Sequence, residues 1–583
     1  MTQAAFALRL DEWAGIGARE QALMKFEALA DDIDAARSRR KSNGLVRRGI
    51  KAWKRGDVVR AGQLCLQATE IDDTNPQAFH ILAMALERMG HRHKALVTYE
   101  RAFQLDPDDT DLLLNLGLMA WQMRMVDWAE RMFRLYIEAC PNSPLGYNNL
   151  GSVLSEQGKR SVGIETLRSA IYRMPGEPVL WNALATVLAD EGRSEESLVF
   201  YQEAVRLDSR FSKPWHNLGF AYTHLGRLED ALAAYDNALE RVYEERERIE
   251  TIHSRSVCLI GMGRLEEGFR EYEVRNSPRF RAYVHHMIEA PVWAGEPLEG
   301  KRILVVGEQG LGDELMFANI LPDIARAVGA EGKLQIAVDE RLIALFQRSF
   351  PNAEVGAYDD RTILHPDGNK ELRIVPFARK PDFYAPMGTP LVHLRKSASD
   401  FPYEAFLKPD PERVAQLRAK LEAIGPGPYV GVCWRSMVLG AKRSKYYSAL
   451  DMWGPILKTP GVTFVNVQYG DCAEELARAQ EKQDVCIHRI EDLDLKNDID
   501  GAAALSAALD LVISAPTAAA ATAGAVGTEV WFLTAGRTWP QLGTDHYPWY
   551  RASRVFAPEK FADWAALTPK VGEALAGFAK KRG

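Results

Sequence analysis

Cysteine is scarce and scattered. The 583 residues hold six, at Cys65, Cys140, Cys258, Cys433, Cys472 and Cys486, with no CxxC spacing and no Cys/His cluster. That excludes a disulfide-stapled scaffold, gives no zinc site and suits a reducing compartment. No apolar run reaches the roughly 18 residues a membrane-crossing helix needs. The opening stretch, MTQAAFALRLDEWAG, lacks a basic start followed by an apolar core, so no signal peptide is read and a cytoplasmic location is expected. Excess positive charge is lacking too. Against 72 Lys and Arg stand 79 Asp and Glu, and the net charge of −7 argues against general nucleic-acid binding. What remains is an ordinary globular composition, 47% hydrophobic and 26% charged, in a chain long enough for several domains.

The N-terminal half repeats. Leu82, Leu116, Leu150, Leu184 and Leu218 recur every 34 residues, each followed by a small residue, Ala83, Gly117, Gly151, Ala185 or Gly219. Ala102, Tyr136, Ala170, Ala204 and Ala238 keep the same period, and Pro107, Pro141 and Pro175 close three of the units. Two short amphipathic helices in 34 residues match the tetratricopeptide repeat. The glycines of RMG, EQG, DEG and HLG supply a left-handed residue between the paired helices. Five units run from Pro76 to about residue 245. A weaker one precedes them at 42–75 and an offset one follows at about 249–282, making about seven in all. Residues 1–41 read as a separate N-terminal helical segment. Such an array forms a superhelix with a concave groove. Three NLG triplets place Asn115, Asn149 and Asn217 on that groove, interrupted by Ile81 and Ala183. Asparagine offers both a donor and an acceptor to an extended peptide, and O-linked N-acetylglucosamine transferases, which carry similar repeats, hold acceptor peptides this way.

After Trp293 the pattern becomes α/β. RILVVG, LQIAV, YVGVCW, VTFVNVQ, LDLVISA and EVWFL read as parallel strands joined by helices. A Pro- and Gly-bearing stretch divides the region into halves at 296–405 and 425–578. Two Rossmann-like halves facing a cleft describe the GT-B architecture, with ligands expected at the carboxyl ends of the strands. The stretch GEQGLGDELMFANILP, 307–322, sets Asp313 on a glycine-rich strand-to-helix turn. Dinucleotide binding is the rival reading, but Leu315 replaces the third glycine and Asp313 would repel a pyrophosphate. A carboxylate there suits a general base; a helix-start acid is the structural alternative.

These stretches resemble heptosyltransferase-like glycosyltransferases, in GEQGLGDELMFANILP and again in SAPTAAAATAGAVGTEVW. The resemblance implies that Asp313 acts as base towards the acceptor, with Gly310 and Gly312 beside the donor. It implies that Arg435 or Lys445, on the basic loop that also holds Lys442 and Arg443, contacts donor phosphate together with Thr517. Gln468, beside Tyr469, and Asn497 are further donor-side candidates. The chain departs from the family at Pro516 and Ala521, where Asp and His are usual, which points to a different nucleotide sugar. Repeats followed by WRS, VQYGD, LKNDID and SAPT resemble alphaproteobacterial flagellin glycosyltransferases. That resemblance implies transfer of a nonulosonic acid such as pseudaminic acid, from a CMP-sugar, to Ser or Thr of flagellin held by the repeats. The donor is a substrate, and no cofactor is implied. No DxD motif occurs in a convincing loop, so the sequence requires no metal. Asp492, Asp494 and Asp498 read as a solvated loop, and HRH at 91–93 as surface. The alternative reading is a scaffold with a degenerate transferase fold.

Overall fold

The computed structural model describes residues 16–308, 310–365, 368–375, 377, 379–437 and 443–582; Lys442 lies outside them. The chain divides into two compact units, Met1–Val153 with Leu364–Asn369, and Leu154–Ile363 with Lys370–Gly583.

The repeat region is all helical. In the first unit the helices are Ile16–Lys54, Val58–Ile71, Pro76–Arg88, Arg92–Leu105, Thr110–Gln122 and Val126–Ala139. Pro144–Glu156 straddles the unit boundary, and the second unit continues with Arg160–Arg173, Pro178–Asp190, Ser194–Leu207, Ser212–His224, Leu228–Arg241, Glu245–Gly261 and Leu265–Tyr272. The expected break at residue 41 is not a structural boundary. One 39-residue helix, Ile16–Lys54, runs through it and supplies the first helix of the first repeat.

Small residues set the helix spacing. A Cβ at Gly117 would lie 2.7 Å from Cε1 of Phe133, and one at Gly219 would lie 2.7 Å from Cε1 of Tyr235. The aromatic ring of each second helix therefore rests on the backbone of the first. Gly90, Gly158, Gly192 and Gly226 all have φ between 71° and 89°. Arg124, at the same position of the intervening repeat, takes φ 65° without the glycine.

The second unit continues into α/β structure built on three sheets. Strands are β1 Val284–His286, β2 Arg302–Val306, β3 Lys333–Val338, β4 Glu354–Ala357, β5 Asp359–His365, β6 Gly368–Ile374 and β7 Phe383–Pro386. Then follow β8 Tyr429–Cys433, β9 Thr463–Asn466, β10 Ile487–His488, β11 Leu511–Ser514, β12 Val530–Leu533 and β13 Ser553–Phe556. One sheet has the order β4-β3-β2-β7, another β10-β9-β8-β11-β12-β13, and the pairings in both are parallel. A small third sheet has the order β1-β6-β5. Numbered from its own first strand, the six-stranded sheet runs 3-2-1-4-5-6, the doubly wound order, and the four-stranded sheet runs 3-2-1-4. The order reverses between β2 and β7 and between β8 and β11, and at such reversals the loops diverge and leave a crevice. All six strands read from the sequence form. The remaining seven are short or lie in polar sequence and carried no alternation to betray them.

The repeats end on a buried ion pair. Arg275, in the turn Glu273–Asn276 that follows the last repeat helix, is 4% exposed, and Glu308, two residues past β2, is 5% exposed. The guanidinium grips the carboxylate through Nε (2.9 Å) and Nη2 (2.8 Å). The same carboxylate accepts the backbone N–H of Gly388, and Arg275 also donates to Glu273 (2.7 Å) and the Tyr272 carbonyl (3.2 Å). Burial alone would raise the Glu308 carboxyl, and the adjacent guanidinium overrides it and holds it below its usual range. Breaking such a pair strands a buried charge, at a cost of about 3–5 kcal/mol. Arg275→Met should lower the urea midpoint accordingly, and adding Glu308→Gln should recover part of the loss. A double variant no more stable than the single one would show that the charge is not the source.

Candidate functional site

A cavity of about 470 Å³ opens where the two sheet reversals face each other, lined by Gly310, Gly312 and Asp313 from one half and Arg443, Tyr447 and Thr517 from the other. The halves approach closely: a Cβ at Gly312 would stand 3.5 Å from N and Cα of Ala518. Bridging groups hold them together. Arg348 forms a two-pronged pair with Asp500 (2.8 and 2.9 Å), and Arg341 donates to the Lys496 carbonyl (3.1 Å). Trp539, Tyr547 and Tyr550 add an aromatic wall.

Asp313 sits in the first turn of the helix Leu311–Phe317, half-buried, with Oδ2 accepting the Gly310 N–H at 3.2 Å. Burial raises its carboxyl to about 6. The Gly310 N–H and the Arg443 charge pull it down, and the Glu308 charge pushes it up. At neutral pH it is a carboxylate that gains a proton readily, as a general base requires. The neighbouring Glu314 faces inward and is 1% exposed. It accepts the Tyr358 hydroxyl and, at 3.1 Å, the Asp339 N–H, and burial raises it to about 7. A Cβ at Gly307 would lie 2.4 Å from Cδ of Glu314, so this first glycine makes room for the second acid rather than for a ligand.

The remaining sequence candidates divide. Thr517 stands at the N-cap position of the helix Ala518–Ala525 at the cavity wall without a side-chain cap bond, its hydroxyl 3.2 Å from Ser514 Oγ and 3.5 Å from Cys433 Sγ. Arg435 is not brought to the cavity. It is turned into an ion pair with Glu475 and donates to the Asp471 carbonyl at 2.9 Å. Lys445 turns the other way and donates to the Ala189 carbonyl of a repeat helix at 3.0 Å. Among the described residues, the basic residue of this loop that reaches the cavity is Arg443. It stands in the stretch AKRSK, where no local pattern singles it out.

Gln468 is 1% exposed, and its Oε1 accepts the backbone N–H groups of Trp434 (3.2 Å) and Arg435 (3.1 Å), fixing the turn out of β8. Gln468 and Asn497 also border a second lobe of about 310 Å³, which shares Tyr469, Leu495 and Lys496 with the first. Asn497 is tied to Asp494 (2.7 Å), Asp498 pairs with Arg413, and Asp492 pairs with Lys420 (3.2 Å). The three acids thus point to different partners. Among the described residues no group of three or more His, Cys, Asp or Glu side chains is placed to hold a metal ion. The aromatic wall was missed in the sequence, although TWPQLGTDHYPWY packs two tryptophans and two tyrosines into one loop.

The asparagines of the NLG triplets bond to neighbouring side chains. Asn115 lies 3.0 Å from His80 Nε2 in the first unit, and in the second Asn217 donates to Asn182 Oδ1 at 2.9 Å. Asn149 is 8% exposed and accepts from Asn148 at 3.1 Å. His91 and His93 are exposed.

Comparison with known proteins bears on the repeats first. Tetratricopeptide-repeat models match residues 76–119, 179–211 and 212–243. Solved structures resembling the repeats include YrrB, a tetratricopeptide protein with a peptide-binding site (20% identity, 33% of this chain and 97% of that one, TM-score 0.25). Another is TTC0263 of Thermus thermophilus (23% identity, 31% and 98%, TM-score 0.28). The class is therefore a tetratricopeptide-repeat protein carrying an α/β region with parallel sheets. Protein FlbA of Caulobacter vibrioides is 41% identical over 536 residues, spanning 91% of this chain and 89% of its own length, and the chain belongs to the FlbA family. Among the described residues no helix is long and apolar enough to cross a membrane.

The raised carboxyl of Asp313 has a stability signature. Protonated Asp313 is favoured in the folded chain, so its stabilising contribution is complete below the ordinary value of 3.8 and lost as pH rises through about 6. Asp313→Asn, which keeps an oxygen for the Gly310 N–H, should be more stable than the parent at pH 8, with the gap closing towards pH 4. Urea midpoints at the two pH values measure it, and a pH-independent gap would mean the carboxyl is not raised.

Proposed function

We propose that this chain is a protein O-glycosyltransferase with a GT-B-type catalytic region. It transfers a sugar from a nucleotide-sugar donor to Ser or Thr of an acceptor protein bound by the repeats. The observation that carries the reading is Asp313, a carboxylate raised to about 6 at one sheet reversal, facing Thr517 and Arg443 at the other across a cavity of about 470 Å³. That volume suits a bound small molecule, and the contiguous second lobe adds room for a nucleoside.

In this reading the acceptor hydroxyl gives its proton to a carboxylate oxygen of Asp313 as its oxygen attacks the anomeric carbon. The bond from that carbon to the donor phosphate breaks, and the charge left on the phosphate meets Arg443 and the Thr517 hydroxyl. Arg435 contributes by bracing the turn out of β8 through Glu475. The resemblance to flagellin glycosyltransferases supports flagellin as acceptor and a CMP-linked nonulosonic acid as donor. The asparagines of the NLG triplets, each able to donate to and accept from a peptide backbone, support acceptor binding by the repeats.

The second reading, a scaffold, draws on Pro516 and Ala521, which line the cavity with apolar surface where heptosyltransferase-like enzymes carry Asp and His. The two readings separate on nucleotide binding and on acceptor mass. Asp313→Ala should cut transfer by roughly 100- to 10,000-fold, read as intact mass of flagellin co-produced with each variant; near-normal mass gain would remove Asp313 as base. Arg443→Ala should weaken CMP binding roughly 10- to 150-fold, the worth of about 1.5–3 kcal/mol for a charged hydrogen bond. In calorimetry, a parent protein binding neither CMP nor UDP would favour the scaffold.

A further inference from the structure

The segment 443–447 has two faces. Arg443 and Tyr447 line the cavity, whereas Lys445 and Tyr446 between them are held by the repeats. Lys445 Nζ donates to the Ala189 carbonyl at the end of the helix Pro178–Asp190. The Tyr446 hydroxyl bonds to Nε2 of His224, the last residue of the helix Ser212–His224. Phe561 closes this contact edge-on, 5.3 Å from the His224 ring and 5.8 Å from the Tyr446 ring, and Phe220 packs 4.2 Å from His224 on the other side. Burial, aided by the Lys445 charge, lowers the imidazole to about 3, so it stays neutral and Nε2 accepts the tyrosine proton. Within the segment two turn bonds form, from Tyr446 N to the Arg443 carbonyl (3.0 Å) and from Tyr447 N to the Ser444 carbonyl (3.2 Å). The helices that grip it also carry Asn182 and Asn217, which pair at 2.9 Å.

We infer that the repeats complete the cavity: Lys445 and Tyr446 are positioning residues, and the ends of two repeat helices hold Arg443 and Tyr447 in place. Identifying the cavity's occupant as a nucleotide rests on the glycosyltransferase reading; the holding of the segment does not. Because the Asn182–Asn217 pair and the Lys445–Tyr446 grip sit on the same two helices, a peptide that engages the pair and a ligand that engages Arg443 share one mechanical element. Their affinities are then coupled reciprocally.

The test uses the full chain and three variants, Tyr446→Phe, Lys445→Met and Lys445→Arg. Tyr446→Phe keeps the ring packing and removes one hydrogen bond. It should speed amide hydrogen exchange of peptides covering 443–447 by about 2- to 12-fold, with the thermal midpoint little changed. Lys445→Met should do the same, and Lys445→Arg should restore slow exchange by reaching the same carbonyl. Where the parent binds CMP, both loosening variants should lose affinity by up to the same factor, because only the closed segment is competent. Unchanged exchange in both loosening variants would overturn the inference. So would raised exchange with undiminished CMP binding. If the parent binds no nucleotide, the glycosyltransferase reading fails, and the exchange measurement alone decides whether the repeats hold the segment.

Discussion

The pair Arg275–Glu308 fixes where everything else can be. A guanidinium and a carboxylate, both withdrawn from water, tolerate each other only in close two-pronged register. One comes from the turn that ends the repeats and the other from the loop that leaves β2. Glu308 also accepts from Gly388, so the loops after β2 and β7, the two sides of one sheet reversal, are drawn to the same carboxylate. Five residues past Glu308 stands Asp313. Burial lifts Asp313 above its ordinary value, with a smaller push from the Glu308 charge.

The cavity is electrostatically lopsided. On the β2 side, Glu308, Asp313 and Glu314 crowd three carboxyls into seven residues. Arg275 neutralises the first, and burial raises the third to about 7 against the pull of the Tyr358 hydroxyl and the Asp339 amide. Asp313 is left as the one acid of the three that lines the cavity. On the β11 side, among the described residues, no acid stands at the wall, and Arg443 with the start of the helix Ala518–Ala525 offers positive character.

Much of this was legible beforehand. Repeat period, helix-turn glycines and the six strongest strands carry hydrophobic periodicity, which records which face is buried, and all reappear in the structure. The fine assignment of basic residues was not legible. Arg435, Arg443 and Lys445 share a loop and a charge, yet they go to Glu475, to the cavity and to a repeat carbonyl. Which way each turns depends on distant partners, 40 residues away in sequence for Arg435 and 256 for Lys445, and no local pattern encodes that. Glu314 hid for a similar reason: next to Asp313 it reads as one more helix-start acid, and only the space left by Gly307 shows that it points inward.

The grip of the helices Pro178–Asp190 and Ser212–His224 on Lys445 and Tyr446 relocates the working seam of the protein. Composition puts that seam near residue 285, where helices give way to strands. Mechanically the last repeats belong with the α/β region. An exchange of repeat arms between relatives would have to cut upstream of Pro178. A graft spliced at the compositional border would carry a foreign pair of helix ends to the segment that shapes the cavity.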